Sequence, residues 1–231
     1  LGRLNDLPNV SMYLESALGV DEIIDLAPNH LMVATGARWT KMLYSSMEIP
    51  VGQLDHPEIY TPDDIASGRL PSGPTLVFDF DNYYYGGVLT EHLAAKDIAV
   101  SYVTPAGQAS AWTIMTNELP LVHKALARRN VPVNTLQMLT AFDGETATLT
   151  HLFNGEQTMV RCQSVLIVGL RLPRMELLQA LEARAAELEA AGIRSVTVIG
   201  DALAPGALTH AVHSGHKAAS ELGLVQRKLF L

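Results

Sequence analysis

The alternation of strands with helices constrains this chain more than any other feature. Runs of mostly apolar residues at HLMVAT (30–35), TLVFDF (75–80), AVSYVT (99–104), SVLIVG (164–169) and SVTVIG (195–200) read as strands. Four of them are β-branched and end at Gly, Thr or Asp, as strands buried on both faces of a parallel sheet do. Between them the spacing predicts helices over 86–97, 115–130, 173–192 and 206–223. The third carries Leu177, Leu181 and Leu188 at helical spacing and stops at Gly192, the pattern of a helix that covers a sheet. This order predicts an α/β fold on a mostly parallel sheet.

Two segments depart from the alternation. Residues 142–162 change to period two, with Asp143-Gly144 and Asn154-Gly155 as hairpin turns, and predict an inserted antiparallel β-meander. Residues 45–74 are rich in Pro and Gly with little periodicity, which predicts a linker. We therefore expect residues 73–193 to form a domain inserted into a body made of residues 1–72 and 194–231. Those flanks hold two strands and one long helix, too little for an independent domain. A first βαβ unit is expected upstream, and a start at Leu1 without Met suggests that a longer protein was cut here.

Charge and composition narrow the partners. With 16 Lys and Arg against 24 Asp and Glu the net charge is −8, and no basic block provides a footprint for nucleic acid or an anionic membrane. No apolar run approaches the roughly 20 residues that cross a bilayer, and no secretory leader opens the chain. The single Cys162 excludes an internal disulfide and reads as a small apolar residue in a cytoplasmic protein.

The junction TLVFDFDNYYYGG (75–87) runs from strand to helix where a dinucleotide fold places G-x-G-x-x-G. The three glycine positions hold Asp79, Asp81 and Tyr84. Read literally, the two acids resemble the loop of a haloacid-dehalogenase-type phosphatase. That resemblance would make Asp79 the nucleophile, Asp81 the general acid, Thr104 the phosphate binder and Asp201 a magnesium ligand. It departs from that family at Tyr83, and no second acid follows Gly200-Asp201. Lys124 is the one weak candidate for the missing lysine. A second strand ends differently: SVTVIGDALAPGALTHAVHSGHKAASEL (195–222) passes through Gly200-Asp201 and Pro205-Gly206 into a helix near Ala207. The free N–H groups and dipole of such a helix suit a nucleotide pyrophosphate.

The stretch IGDALAPGALTHAVHSGHKAA (199–219) resembles the final flavin- or ADP-binding motif of the trimethylamine dehydrogenase group of flavoproteins. HLMVATGARW (30–39), FDNYYYGGVLTEHLA (80–94) and VTPAGQASAWT (103–113) resemble the same group in the same order. The resemblance implies a Rossmann-like fold of the pyridine nucleotide-disulfide oxidoreductase type. Residues 1–72 and 194–231 would be part of an FAD- or ADP-binding domain, and 73–193 a degenerate NAD-like domain. It implies ADP or FAD held by Thr35, Gly36, Ala37, Gly200, Asp201, Pro205, Gly206, Ala207 and Leu208. It also implies FMN and a 4Fe-4S cluster in a preceding barrel domain, since one cysteine cannot supply four thiolates. Electrons would pass to an electron-transferring flavoprotein or another acceptor, and a homodimer would fit. NAD is not expected, because the turn lacks its glycines and SYVTPAG (101–107) has no ribose-binding acid. No catalytic or metal-binding residue, and no turnover, is expected of the chain by itself.

Smaller signals have plain structural readings. His210, His213 and His216 spread over about a third of a helix circumference at about 100° per residue, and no carboxylate or thiolate completes a metal set. Trp39 and Trp112 read as core or interface anchors. Asp21, Glu22 and Asp25 suit a short helix, and Thr61-Pro62-Asp63-Asp64 is a helix start.

Overall fold

The computed structural model describes residues 4, 6–45, 50–222 and 229. The chain forms two compact units: a split unit of Leu1–Ala37 with Pro173–Leu231, and an inserted unit of Arg38–Leu172. In the split unit come α1 (Val20–Leu26) and β1 (His30–Val33), and β2 (Ala37–Trp39) leads out of it. The inserted unit opens with β3 (Met42–Tyr44), β4 (Pro50–Gln53), β5 (Ile59–Tyr60), α2 (Pro62–Ala66), β6 (Thr75–Asp79), α3 (Tyr84–Ala94) and β7 (Val100–Val103). It continues through a 3₁₀ segment (Ala111–Thr116), α4 (Leu119–Arg128), β8 (Val133–Asn134), β9 (Gln137–Phe142), β10 (Thr146–His151), β11 (Gln157–Arg161) and β12 (Ser164–Val168). β13 (Arg171–Pro173) returns the chain, and α5 (Glu176–Glu182), α6 (Ala185–Ala190), β14 (Ser195–Val198) and α7 (Leu208–Ser220) follow.

The inserted unit is built on a five-stranded parallel sheet of order β5-β12-β6-β7-β8. Every residue of β6 and of β12 is buried, which is why both strands lack polar alternation. Successive side chains point to opposite faces. Leu76, Phe78, Val165 and Ile167 pack with Leu139 and Leu149 of the meander, while Val77, Leu166 and Val168 pack with Ile65 of α2 and Leu93 of α3. The meander has the order β11-β10-β9, with Gly144 and Gly155 at positive φ in its two turns. It begins at Gln137, five residues ahead of the expected 142.

In the split unit β1 and β14 pair in parallel from His30 with Ser195 to Val33 with Val198. Among the described residues these two strands pair with each other alone. Ile23 of α1, Leu178 and Leu181 of α5 and Leu188 of α6 close one core against Val33 and Val196. The helix expected over 173–192 is two helices: a strand occupies 171–173, and the helical path breaks between Glu182 and Ala185. At the break Arg184 forks onto Glu187 and reaches Asp21 at 2.5 Å.

The unit boundaries lie at 37/38 and 172/173, not at the 72/73 and 193/194 expected from composition. Residues 45–74 are Pro- and Gly-rich, yet β5 extends the parallel sheet beside β12 and Ile65 of α2 joins its core. At the other end Leu178, Leu181 and Leu188 bind α5 and α6 to the split unit. The helix expected over 115–130 starts only at Leu119, because Asn117 takes the left-handed conformation and ends the 3₁₀ segment. Thr61 precedes α2 as expected, with Asp64 accepting from its N–H and hydroxyl.

Candidate functional site

In a parallel sheet the loops that leave the carboxyl ends of the strands are the natural binding edge. In the split unit β1 and β14 end side by side, and Ile199 N–H donates to the Val33 carbonyl at 3.0 Å. The loops that carry Thr35 and Gly36, and Gly200 and Asp201, therefore begin at adjoining strand ends. Thr35 Oγ1 donates to the Arg174 carbonyl at 2.8 Å, and the Gly36 carbonyl accepts from Arg174 N–H at 2.9 Å. Gly36 has a φ of +75°, and a Cβ there would meet nothing within 4 Å. Ala37 already belongs to β2.

The second loop is tied to itself. Gly200, at a φ of +62°, donates its N–H to Ser214 Oγ of α7 at 2.8 Å. Asp201 Oδ1 accepts from Gly206 N–H at 3.2 Å, which closes the turn through Pro205. Ala207 N–H donates to His210 Nδ1 at 3.2 Å, and Leu208 begins α7 with its side chain exposed. The expectation of free N–H groups at this helix start is corrected at two positions only: the Gly206 and Ala207 amides, just ahead of the helix, are engaged by Asp201 and His210. His210 thereby acts as a cap, and among the described residues no group of three His, Cys, Asp or Glu is placed to hold a metal.

The corresponding edge of the inserted unit is closed. Asp79, the last residue of β6, has no exposed surface. Its Oδ1 accepts from Asn82 N–H at 2.9 Å, and its Oδ2 accepts from the Tyr102 hydroxyl of β7. That hydroxyl in turn accepts from Ser110 N–H at 2.9 Å. Burial pushes the Asp79 carboxyl up to about 7, with the Asp81 charge adding to it and the Tyr102 and Asn82 hydrogen bonds opposing. Burial also raises Asp81, against the opposing charge of Arg171 and the Tyr83 N–H. Tyr102 is shifted far above the ordinary phenol range by burial and by Asp79.

Around this network the polar groups answer one another. Thr104 Oγ1 donates to Asn82 Oδ1 at 2.7 Å and accepts from Ala106 N–H at 3.1 Å. The close helix approach that a dinucleotide turn makes at its third glycine occurs at Gly86, where a Cβ would come within 2.6 Å of Asp79 Cβ. Tyr84 at the expected position is half-buried and bonds Glu118 through its hydroxyl, while Tyr85 lies edge-on against Trp39. The tyrosine that fills the strand edge is thus Tyr102, which sequence reasoning missed; its polar ring inside the apolar run AVSYVT was the available signal.

The phosphatase reading finds no support in this geometry. Both oxygens of Asp79 are engaged and shielded from solvent, so the carboxylate cannot reach a phosphorus atom. Thr104 is fully buried, and Asp201 folds with the other unit. Cys162 is buried, and burial pushes its thiol up to about 11, away from nucleophilic use.

No protein-family model matches the chain. Dimethylamine dehydrogenase of Hyphomicrobium sp. (strain x) is 27% identical over 230 residues, covering 90% of this chain and 31% of that protein. The structure of histamine dehydrogenase from Rhizobium sp. 4-9 superposes with a TM-score of 0.91 at 29% identity, covering 98% of this chain and 36% of that one. The chain is homologous to the C-terminal part of amine dehydrogenases. The 6-hydroxypseudooxynicotine amine oxidase of Pseudomonas geniculata N1 is also similar, with a TM-score of 0.89 and 32% identity over 96% of this chain and 33% of that one. The chain spans about a third of the length of each of these relatives. At 13% identity and a TM-score of 0.54, T. acidophilum thioredoxin reductase shares the fold.

Proposed function

We propose that this chain is the nucleotide-binding portion of a flavin- and iron–sulfur-dependent amine dehydrogenase-like oxidoreductase, and that its split unit takes the ADP moiety of a nucleotide. The observation that carries the reading is the pairing of the β1 and β14 ends, from which the loops of Thr35 and Gly36 and of Gly200 and Asp201 begin, in a chain homologous over most of its length to amine dehydrogenases. The residues fit an adenine nucleotide in part. Gly36 leaves open space where a ligand can approach the backbone, and Asp201 and the turn at Pro205, Gly206, Ala207 and Leu208 lie at the adjoining strand end. Because Gly206 and Ala207 already have acceptors, a pyrophosphate would have to compete with Asp201 and His210. The proposal is therefore weak ADP or FAD binding.

In the whole enzyme, FMN and a 4Fe-4S cluster would sit in a separate barrel domain, supply the oxidation of a small amine and pass electrons to an acceptor such as an electron-transferring flavoprotein. The inserted unit binds no NAD in this reading and serves as a docking body for that barrel or for a second copy. Its exposed Tyr85, Val88, Trp112, Ile114, Met115 and Leu121 suit such a role. A cytoplasmic setting fits, and among the described residues no helix is long and apolar enough to cross a membrane. Titration calorimetry tests the nucleotide claim: ADP should bind, and Asp201→Ala should weaken it by about tenfold. The absence of any ADP binding would overturn it.

A further inference from the structure

We propose that Asp79 is a built-in substitute for a ligand phosphate, a side chain that occupies the anion position of the inserted unit's own dinucleotide turn and holds that unit closed. The inference rests on the fold and on Asp79 itself, and it stands whether or not the split unit takes a nucleotide.

In a dinucleotide fold the amides between the first strand and its helix point at a pyrophosphate, and glycines make room for it. Here the strand is β6 and the helix is α3; the Phe80 and Asp81 amides donate to the Val168 carbonyl of β12, and the next amide, that of Asn82, turns to the protein's own carboxylate. Asn82 N–H donates to Asp79 Oδ1 at 2.9 Å. From the neighbouring strand Tyr102 donates to Asp79 Oδ2 and is itself fixed by Ser110 N–H. The carboxyl group therefore takes one amide from the turn and the Tyr102 hydroxyl from β7, itself held by Ser110 N–H of the loop after β7, at the place where a ligand anion would sit. Gly86 supplies the last element: without a side chain it lets α3 close down on Asp79, leaving no space between helix and strand for a second anion.

Chemical rescue tests this. At pH 8, above the value of about 7 to which burial raises the Asp79 carboxyl, Asp79→Gly in the full chain removes the internal anion and opens its space. Unfolding is followed by tryptophan fluorescence, which reports the inserted unit because Trp39 and Trp112 both belong to it. Inorganic pyrophosphate or formate, against chloride at equal ionic strength, should raise the midpoint of Asp79→Gly by about 4 °C at ten times its dissociation constant. The wild-type transition should not move. Equal shifts in both proteins, or none in the variant, overturn the proposal. Should Asp79→Gly not fold, Asp79→Leu keeps the volume without an acceptor. Amide exchange at Asn82 should then accelerate at least tenfold over the wild type, and unchanged exchange overturns the proposal.

Discussion

The two units place parallel strand ends in the same relation and finish them in opposite ways. At the edge of the split unit Gly36 and Gly200 have left-handed backbones, and the space beside Gly36 is open. At the edge of the inserted unit a carboxyl group with no exposed surface draws in a turn amide and a tyrosine hydroxyl. Topology thus provides a place for a ligand, and the residue at the strand terminus decides whether that place is available.

The largest effect should come from changing pH across the closed edge. The folded state raises Asp79 from 3.8 to about 7, so it favours the protonated acid. The stability this contributes is fully present below about pH 4 and is lost as pH rises through about 7, a change on the order of 4 kcal/mol. Facing this group are Asp81 from the turn, itself opposed by Arg171, and Tyr102 from β7; α3 presents Gly86. Urea unfolding followed by tryptophan fluorescence at pH 5 and pH 8 should show the wild type weakening at the higher pH. Asp79→Asn should flatten that difference, and an unchanged slope in the variant would break the contrast drawn here.

A smaller effect should follow from Gly86→Ala, whose added methyl group must push α3 away from Asp79. We expect a loss of about 2 kcal/mol. In an Asp79→Gly background most of that loss should disappear, which a double-mutant cycle measures directly. Smallest is the open edge: Ser214→Ala deprives Gly200 N–H of its acceptor and should cost about 1 kcal/mol. The same variant should loosen ADP binding severalfold and leave the tryptophan transition unmoved.

Much of the scaffold was legible because its signals are local. All five apolar runs are strands, and the Asp-Gly and Asn-Gly pairs form the turns of the meander. The unit boundary was not legible, because β5 has two residues and earns its place only by pairing with β12, which lies far along the chain. The same limit applies to the sites. Asp79 and Asp81 stood out in TLVFDFDN, yet the burial of Asp79 depends on Tyr102 from another strand and on the approach of Gly86. Likewise the motif around Gly200 and Asp201 was visible, while the engagement of its amides by Asp201 and His210 emerged only from the folded turn.

Hydrogen–deuterium exchange in the presence of ADP, and separately of NADH, tests the contrast between the two edges most directly, because it assigns binding to residues. The account predicts that ADP slows exchange at residues 34–37 and 199–208, and that neither ligand alters residues 79–84 or 102–110. Protection of the turn after Asp79 by NADH, or no effect of ADP on the loops after β1 and β14, would contradict it.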